Sequence, residues 1–247
     1  MTPRLIPAGN PGAFTGRGNN TYLIGTVLID AGVGQSAHLD ALAAALGDQP
    51  LEHLVITHGH SDHAGGVPAL RERWPTARVS RHCPDGDVPD QCHHLADGDR
   101  VEIGSRALRV LVTPGHAADH ICLFDEVMGD LFTGDMVIAG TTVLVPSRAK
   151  GGSMRAYLQS LARLRDLDAG RLLPGHGPVI EQPRHRITAV IAHRLEREAQ
   201  VAGCLKQGVT DPAAIVAKLY DGVPAMLLPF AEQTVIAHIE KLEEDQR

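Results

Sequence analysis

Hydrophobic and polar positions alternate with two different periods in the first part of the chain. Residues 19–32, NNTYLIGTVLIDAG, are apolar or β-branched almost throughout, which predicts two short strands that turn at Gly25. Residues 36–46, SAHLDALAAAL, carry leucines at Leu39 and at three and seven positions after it. This spacing predicts a helix with one core-facing side and with Ser36 as its N-cap.

Strand patterns dominate the middle of the chain. Residues 52–57, EHLVIT, predict a buried strand that ends at a histidine-rich loop, and residues 64–74, AGGVPALRERW, predict a helix. Between residues 77 and 136 the pattern is that of strands, with one hairpin through Gly104 and Ser105 and a second that turns near Asp125.

The last part of the chain favours helices. Residues 153–167 predict an amphipathic helix, and residues 170–180, GRLLPGHGPVI, predict a short strand that leads into a loop. After Pro183 the strand patterns stop. We therefore expect one larger domain over residues 1–182 and a small helical domain over residues 183–247.

Length and composition agree with a globular α/β protein. The chain has 247 residues, of which 43% are hydrophobic, enough for a sizeable core. It has no apolar run of about 18 residues, which predicts that it does not span a membrane. The N-terminal sequence MTPRLIPAGNPG has no apolar signal-peptide region, so a cytoplasmic location is expected.

Charge and cysteine usage narrow the function classes. The net charge of −6 and the aromatic content of 3% argue against a nucleic-acid-binding protein, since these usually carry a basic stripe or aromatic stacking surfaces. The four cysteines form no CxxC pair, which favours thiols over a disulfide framework. The unusual feature of the composition is its 14 histidines.

The histidines concentrate in THGHSDHAGG, residues 57–66. Residues two apart at the end of a strand can point the same way, so His58 and His60 can converge on one ion while Asp62 and His63 face another. Imidazole and carboxylate ligands suit zinc and also admit iron or manganese. The spacing differs from the helical HExxH pattern of zinc proteases.

Three later motifs add further metal-ligating residue types. TPGHAADH contains His116 and His120, FTGD contains Asp135, and LPGHGP contains His176. Each follows a strand-rich stretch and lies beside glycine or proline, where a rigid scaffold presents functional groups. A single histidine of this kind is more simply a turn residue, but the ordered set predicts a metal site.

These four motifs resemble the successive motifs of the metallo-β-lactamase fold hydrolases. NPGAFTGRGNNTYLIG, AGTTVLV, MRAYLQSLARL and AHRLEREAQ resemble the β-lactamase-like protein 2 / glyoxalase II-like group of that superfamily. The resemblance covers nearly the whole chain. It implies an α+β fold, a four-layer αββα sandwich with metals at one edge, followed by a small C-terminal helical, winged-helix-like domain. Because nothing after Arg247 could form a wing hairpin, we expect this piece to pack over the active-site cleft.

The resemblance also implies a ligand set and a mechanism. The cofactors expected are two Zn²⁺ ions, with iron or manganese as alternatives. A hydroxide between the metals would attack an electrophilic carbonyl or phosphoryl centre, with Asp62 and Asp135 as the catalytic carboxylates. The first metal is assigned to His58, His60 and His116, and the second to Asp62, His63 and His176, with Asp135 bridging the two.

Two residues outside the ligand set are candidates for supporting roles. Asp30 ends the strand VLID and could accept a hydrogen bond from the second ring nitrogen of a ligand, or be a strand-end turn residue. His120 could support the site or contact substrate, or be a packed turn histidine.

Charged residues further along the chain are candidates for substrate contacts. Arg148 and Lys150 could meet an anionic substrate, although a solvated loop is the simpler interpretation. His193, together with Arg194 and Arg197, could line the cleft, although positions on a helix surface are the simpler interpretation.

One further segment contains metal-ligating residue types. RHCPDGDVPDQCHH, residues 81–94, holds His82, Cys83, Cys92 and His93, but its cysteine spacing matches no short zinc knuckle. Its glycine and prolines favour a surface loop.

Four functions are compatible with the sequence. The favoured one is a dinuclear hydrolase of a small ester or thioester, because the chain is acidic and poor in aromatics. A metal-dependent endoribonuclease acting on single-stranded RNA is the second, and a nonhydrolytic binding module is the third. β-Lactamase activity is a minor possibility, because a fold name is not evidence of function. A small-molecule substrate is expected, nucleic acid is not favoured, and the oligomeric state stays open.

Overall fold

Two β-sheets stacked face to face form the centre of the protein. The computed structural model describes residues 1–12, 15–86 and 88–246. Parts of two motifs quoted above therefore lie outside the described residues, namely Ala13, Phe14 and Asp87, as does Arg247. The strands are β1 (Arg4–Pro7), β2 (Asn20–Ile24), β3 (Val27–Ile29), β4 (His53–Val55), β5 (Arg78–Arg81), β6 (Cys92–His94), β7 (Arg100–Ile103), β8 (Arg106–Val112), β9 (Ile121–Asp125), β10 (Asp130–Gly134) and β11 (Arg171–Pro174).

Helices cover the outer faces of both sheets. They are α1 (Ser36–Leu46), α2 (Ser61–Ala64), α3 (Val67–Arg73), α4 (Met154–Arg165), α5 (Pro183–Lys206), α6 (Pro212–Leu219) and α7 (Leu228–Asp245). The apolar sides of α1 and α3 pack on the first sheet, and those of α4 and α5 pack on the second. The predicted four-layer αββα arrangement is confirmed.

The strand directions bring several strand ends to one edge. The first sheet has the order β1-β2-β3-β4-β5-β6, in which β3 to β6 are parallel. The second has the order β11-β10-β9-β8-β7. There β8 and β10 are both antiparallel to β9, and β11 is parallel to β10. Because β8, β10 and β11 therefore run in the same direction, the loops that follow them lie at the same edge of the sheet.

Apolar side chains from the two inner faces form the central core. Five of these side chains come from strands of the first sheet, and most of the remainder come from the second. Alternate residues of each strand point to the inner face, so most of these side chains are fully buried. The cluster includes Tyr22, Ile24, Val27, Ile29, Val55, Leu108, Val110, Ile121, Leu123, Phe132 and Leu173.

Most predicted elements are present and three differ. Both predicted hairpins are confirmed, with turns between β7 and β8 and between β9 and β10. The sequence did not predict β1, because residues 4–7 show no apolar run. In the structure only Ile6 of these four residues is buried. Helix α1 has Gln35, not Ser36, at its N-cap position, and no side chain caps it. The segment expected to be a surface loop contributes β6, which pairs with β5 at the sheet edge.

The helices after Pro183 share a small core of their own. Val201 and Cys204 of α5 pack with Ile215 of α6 and Val235 of α7. The same α5 also packs on α4 through Ile187, nearer its N-terminus. Because α5 takes part in both cores, the division at residue 183 stays a prediction. Over the described residues, no helix is long and apolar enough to cross a membrane.

We predict that truncation of Leu161 weakens the fold. This α4 residue is fully buried in the core beneath the second sheet. Leu161→Ala should therefore lower the free energy of unfolding by about 2–5 kcal/mol, the usual cost of a core cavity. Leu195→Ala, on a helical residue that is 48% exposed, is the matched control and should change it by less than about 0.5 kcal/mol. Denaturant titration measures both, and equal losses would contradict the assignment.

Candidate metal centre

Loops at the shared edge of the two sheets carry all of the predicted metal ligands. The histidine loop follows β4 and continues into α2, while His116, Asp135 and His176 follow β8, β10 and β11. A backbone hydrogen bond of 2.8 Å from the amide of Ile121 to the carbonyl of Thr57 ties this loop to the second sheet. Tertiary structure thus brings together residues separated by more than a hundred positions.

Three histidines converge at one side of the site. The Nδ1 atom of His60 lies 2.9 Å from Nε2 of His58 and 3.0 Å from Nε2 of His116. His58 and His116 are buried, whereas His60 is exposed. This is the set expected for a first metal.

The other side of the site combines carboxylates with two more histidines. Nε2 of His176 lies 3.3 Å from Oδ2 of Asp62, and Nε2 of His63 lies 3.7 Å from the same oxygen. Oδ1 of Asp135 lies 3.4 Å from Nε2 of His63 and 3.5 Å from Nε2 of His176. Its other oxygen, Oδ2, lies 3.7 Å from Nε2 of His116. The two oxygens of Asp135 therefore face the two groups of histidines.

The chemistry of these donors fits divalent metal ions. Nε2 of His63 and Oδ1 of Asp135 are buried without a hydrogen-bond partner in the protein, which is costly unless a ligand satisfies them. Imidazole nitrogens and carboxylate oxygens are the borderline ligands of zinc, iron and manganese. Among the residues that the structure describes, every group of three with suitably close donor atoms comes from this cluster, and residues 81–94 contribute none.

Gly175 keeps space open beside the side chains of His63 and Asp135. A Cβ atom at this position would lie 2.6 Å from Cε1 of His63 and 2.9 Å from Oδ1 of Asp135. Any side chain here would therefore enter the space that these donor atoms face.

Buried partners orient the rings of three histidines. Oδ2 of Asp30 lies 2.8 Å from Nδ1 of His63, and the same carboxylate accepts hydrogen bonds from the backbone and hydroxyl of Thr57. The Thr57 hydroxyl lies 3.1 Å from Nδ1 of His58, and the carbonyl of Leu144 lies 2.6 Å from Nδ1 of His116. In each case the ring nitrogen that faces the site is the other one, Nε2. Asp30 has a φ of 62°, a left-handed conformation that is uncommon outside glycine.

His120 is fully buried and touches the protein backbone rather than the cavity. Its Nε2 accepts a 3.1 Å hydrogen bond from the backbone amide of Asp135, so that its Nδ1 is left as the donor to the hydroxyl of Thr113, 3.0 Å away. Its position is that of a residue that holds Asp135 in place.

Asn19 is a site neighbour that sequence reasoning did not single out. Its side-chain amide donates to Oδ2 of Asp62 at 3.1 Å and lies 3.4 Å from Nε2 of His176. No periodicity marks it, because it precedes β2 and reaches the site only through the packing of that strand against the loop after β11.

The neighbours of each titratable group in the cluster keep the carboxylates ionised and favour protonated histidines beside them. Burial lowers the pKa of His58 and of His116. Burial would also lower the pKa of His176, but the neighbouring carboxylates of Asp135 and Asp62 outweigh it and raise the pKa to about 9. Burial opposes ionisation of Asp135, yet His63 and His176 keep its pKa well below the usual value. Without an ion, protons on histidine therefore balance the carboxylates.

Of the other candidate substrate contacts, His193 and Arg194 line one cavity, whereas Arg148 and Lys150 lie elsewhere. His193 lines a cavity of about 500 Å³ that opens on the cluster. Arg148 is exposed and pairs with Glu240 and Glu244 of α7 instead, with Nη1 2.8 Å from the Glu244 carboxylate. Lys150 lines a different cavity, which meets the first at His60.

We predict that Gly175→Ala reduces metal binding. The added methyl group would crowd His63 and Asp135, so the metal content per chain should fall well below that of the parent protein. Gly203→Ala, at a helical position with no atom within 4 Å of the added carbon, should bind as the parent does. Elemental analysis after purification measures both, and parent-level metal in Gly175→Ala would contradict this geometry.

We also predict that metal affinity decreases as the pH falls. The pKa of His176 is about 9 without metal, so below that pH an ion must displace a proton from its ring. The affinity should fall about tenfold per pH unit for each proton released. Competition with a chelating dye between pH 8 and pH 6 measures this, and a constant affinity would show that the ion displaces no proton from its ligands.

Comparison with known proteins agrees with this geometry. The family model described as metallo-beta-lactamase superfamily matches residues 14–82 and 95–176, and that of the beta-lactamase associated winged helix domain matches residues 212–247. The chain is 34% identical over 212 residues to the beta-lactamase-like protein 2 homolog of Caenorhabditis elegans, covering 80% of this chain and 69% of that protein. It is 35% identical over 218 residues to the atrochrysone carboxyl ACP thioesterase of Aspergillus chevalieri, covering 84% and 67%.

A solved structure extends the similarity to the whole chain. A metallo-beta-lactamase family protein from Thermus thermophilus aligns with a TM-score of 0.79 and 25% identity, over 99% of this chain and 94% of that one. Sequence, fold and the strand-end cluster of histidines and aspartates lead to the same conclusion, and the chain belongs to the metallo-β-lactamase superfamily.

Proposed function

We propose that this protein is a dinuclear metal-dependent hydrolase that cleaves thioesters of small acyl groups. The observation that carries the proposal is the position of Asp135, whose two oxygens face two separate groups of histidines. One carboxylate can then hold two ions and offset part of their charge, as in two-metal hydrolytic sites.

The residues of the cluster would form two ligand groups, one for each ion. His58, His60 and His116 would hold one, and Asp62, His63 and His176 the other. Bound divalent ions supply a water of lowered pKa and polarise the bond under attack, so no separate general base is required. Asp30 and His120 keep His63 and Asp135 oriented, which matters because small displacements at a reacting centre are costly in rate.

The cavity above the cluster supports an acyl substrate. Its volume of about 500 Å³ is that of a small-molecule site. Its wall beyond the histidines is largely apolar, and much of it comes from the C-terminal helices and the turns between them, as expected for a piece that packs over the cleft. The apolar lining includes Ile138, Val143, Leu144, Tyr220, Leu227 and Phe230. Similarity to a protein named as a thioesterase supports a thioester as the bond that is cleaved.

The charged residues near the site do not favour the ribonuclease alternative. An RNA cleft needs cations along the path of the phosphates. Arg148, one of the expected cations, is engaged by two glutamates of α7. The largely apolar wall of the cavity offers no row of cations that could follow a chain of phosphates.

We predict that Asp135→Asn abolishes most thioester hydrolysis. An amide cannot offer two anionic oxygens to two ions, so kcat should fall by at least about 100-fold. The probes are N-acetylcysteamine thioesters of short acyl groups, with thiol release followed by a colorimetric reagent. Asp48→Asn, which removes an exposed turn carboxylate, is the control and should keep the activity of the parent.

A parallel assay on single-stranded RNA separates the alternatives. If metal-loaded parent protein cuts RNA, the Asp135 variant does not, and no thioester is cleaved, the ribonuclease assignment replaces the one proposed. A protein with full metal content that cleaves neither substrate would be a binding module.

A further inference from the structure

An arginine lies buried in the wall of the substrate cavity. Arg194 of α5 is only 3% exposed and lines the same cavity as the metal cluster. A guanidinium stays charged at any pH at which proteins fold, and a charge taken out of water is unfavourable unless it is paired. The sequence left open whether this position lines the cleft or lies on a helix surface, and its burial requires an explanation.

The contacts of Arg194 leave its charge without a counterion. Its Nη2 donates a hydrogen bond to the carbonyl of Val143, and its guanidinium lies over the ring of Tyr157 at 5.6 Å. Its Nε is buried and has no hydrogen-bond partner. Among the residues that the structure describes, no carboxylate oxygen lies within 4.0 Å of it. A purely structural role would account for the carbonyl and the ring, but not for the missing anion.

Two arginines on the strands of the second sheet show how a buried acid offsets such a charge. Arg106 lies 2.7 Å from the buried carboxylate of Asp125, and Arg171 lies 2.6 Å from that of Asp130. The acid one helical turn beyond Arg194 is Glu198, but its oxygens lie 2.8 Å from Lys241 and 3.5 Å from His238. Among the residues that the structure describes, Arg194 is the one arginine that is buried, and it has no such partner.

We propose that Arg194 binds a carboxylate carried by the acyl part of the substrate, so that the preferred substrates are thioesters of dicarboxylic or similarly anionic acids. This inference rests on the proposed function and names its substrate class. An arginine offers a planar pair of N–H groups that matches a carboxylate. Val143, Phe230 and Thr234 of the same cavity are uncharged, and the two acids that line it, Asp62 and Asp135, belong to the metal cluster.

The placement of the cavities assigns the anion to the acyl part rather than to the thiol arm. A second cavity of about 440 Å³ shares His60 with the first and is lined by charges of both signs, namely Arg81, Lys150, Asp85 and Asp119. The thiol arm has room there, which leaves the acyl group beside Arg194. Water adds across the C–S bond: the C–O bond forms as the C–S bond breaks, and the products are the carboxylic acid and the thiol.

The test compares two N-acetylcysteamine thioesters of equal chain length, glutaryl and pentanoyl, on metal-loaded parent protein. We expect kcat/KM to favour the glutaryl thioester at least tenfold. In Arg194→Met this preference should disappear, so that the ratio of the two kcat/KM values comes close to one. The ratio is measured within one variant, so partial loss of folded protein does not alter it. Arg184→Met, on an exposed position of the same helix, should keep the preference.

Several outcomes would overturn the assignment. The parent protein could show no preference for the glutaryl thioester, or Arg194→Met could show the same preference as the parent. Either result would show that Arg194 does not bind the acyl carboxylate. A dependence on Arg194 that appears only with coenzyme A thioesters, and equally for both acyl groups, would show that it binds phosphate. If Arg194→Met does not fold, Arg194→Lys replaces it and should reduce the preference, because an ammonium keeps the charge but not the planar pair of donors.

A binding measurement separates this inference from the proposed function. Calorimetry with glutarate and pentanoate needs no turnover, since each presents one carboxylate to the metals and only glutarate has a second for Arg194. Tighter glutarate binding that is lost in Arg194→Met would support the site even if no thioester were cleaved. Equal binding of the two acids would overturn it, whereas loss of hydrolysis alone would overturn only the thioesterase assignment.

Discussion

The carboxylate of Asp135 lies between two groups of histidines, and its position is the constraint on which the site depends. One oxygen faces His63 and His176 and the other faces His116. Such a group is stable in a buried place only when cations or donors surround it. Charge neutrality in the centre therefore requires protons or metal ions. The protein must also keep the carboxylate buried, although its charge is better solvated in water.

Rigid surroundings keep Asp135 in that position. It directly follows β10, which pairs with β9 on one side and with β11 on the other. His120 accepts a hydrogen bond from its backbone amide, which fixes the loop immediately after the strand. Gly175, on the neighbouring loop, leaves the space that the donor atoms face. Because these contacts involve backbone as well as side chains, the geometry does not rely on any single rotamer.

The C-terminal helices border the cavity that opens on the histidine and aspartate cluster. Their apolar residues pack in a small core with the end of α5, and they also supply part of the cavity wall. Arg148 on the catalytic side is held by Glu240 and Glu244 of α7, an exposed ion-pair network of modest strength that links the two parts. A family of hydrolases with one metal centre can acquire different substrates through such an added wall, because the chemistry and the selectivity reside in different segments.

The sequence alone determined the residue types and the order of the metal motifs, because ligands at strand ends leave a local signature of histidine, aspartate and glycine. It also determined the hairpins through Gly104 and near Asp125, since period and turn chemistry act over a few residues. Resemblance, rather than periodicity, supplied the four-layer sandwich. Local patterns could not show β1 or the role of Asn19, whose contacts join distant segments.

Only the tertiary structure decided which charged residues line the cavity beside the histidine and aspartate cluster. Arg148 and Arg194 look alike in the sequence, as basic residues in polar segments, yet one pairs with glutamates on the surface and the other is buried beside the metal centre. The difference arises because the packing of α5 and α7 on the second sheet sets the local dielectric and the neighbours of each charge. Those are properties of the three-dimensional arrangement, and no local sequence pattern encodes them.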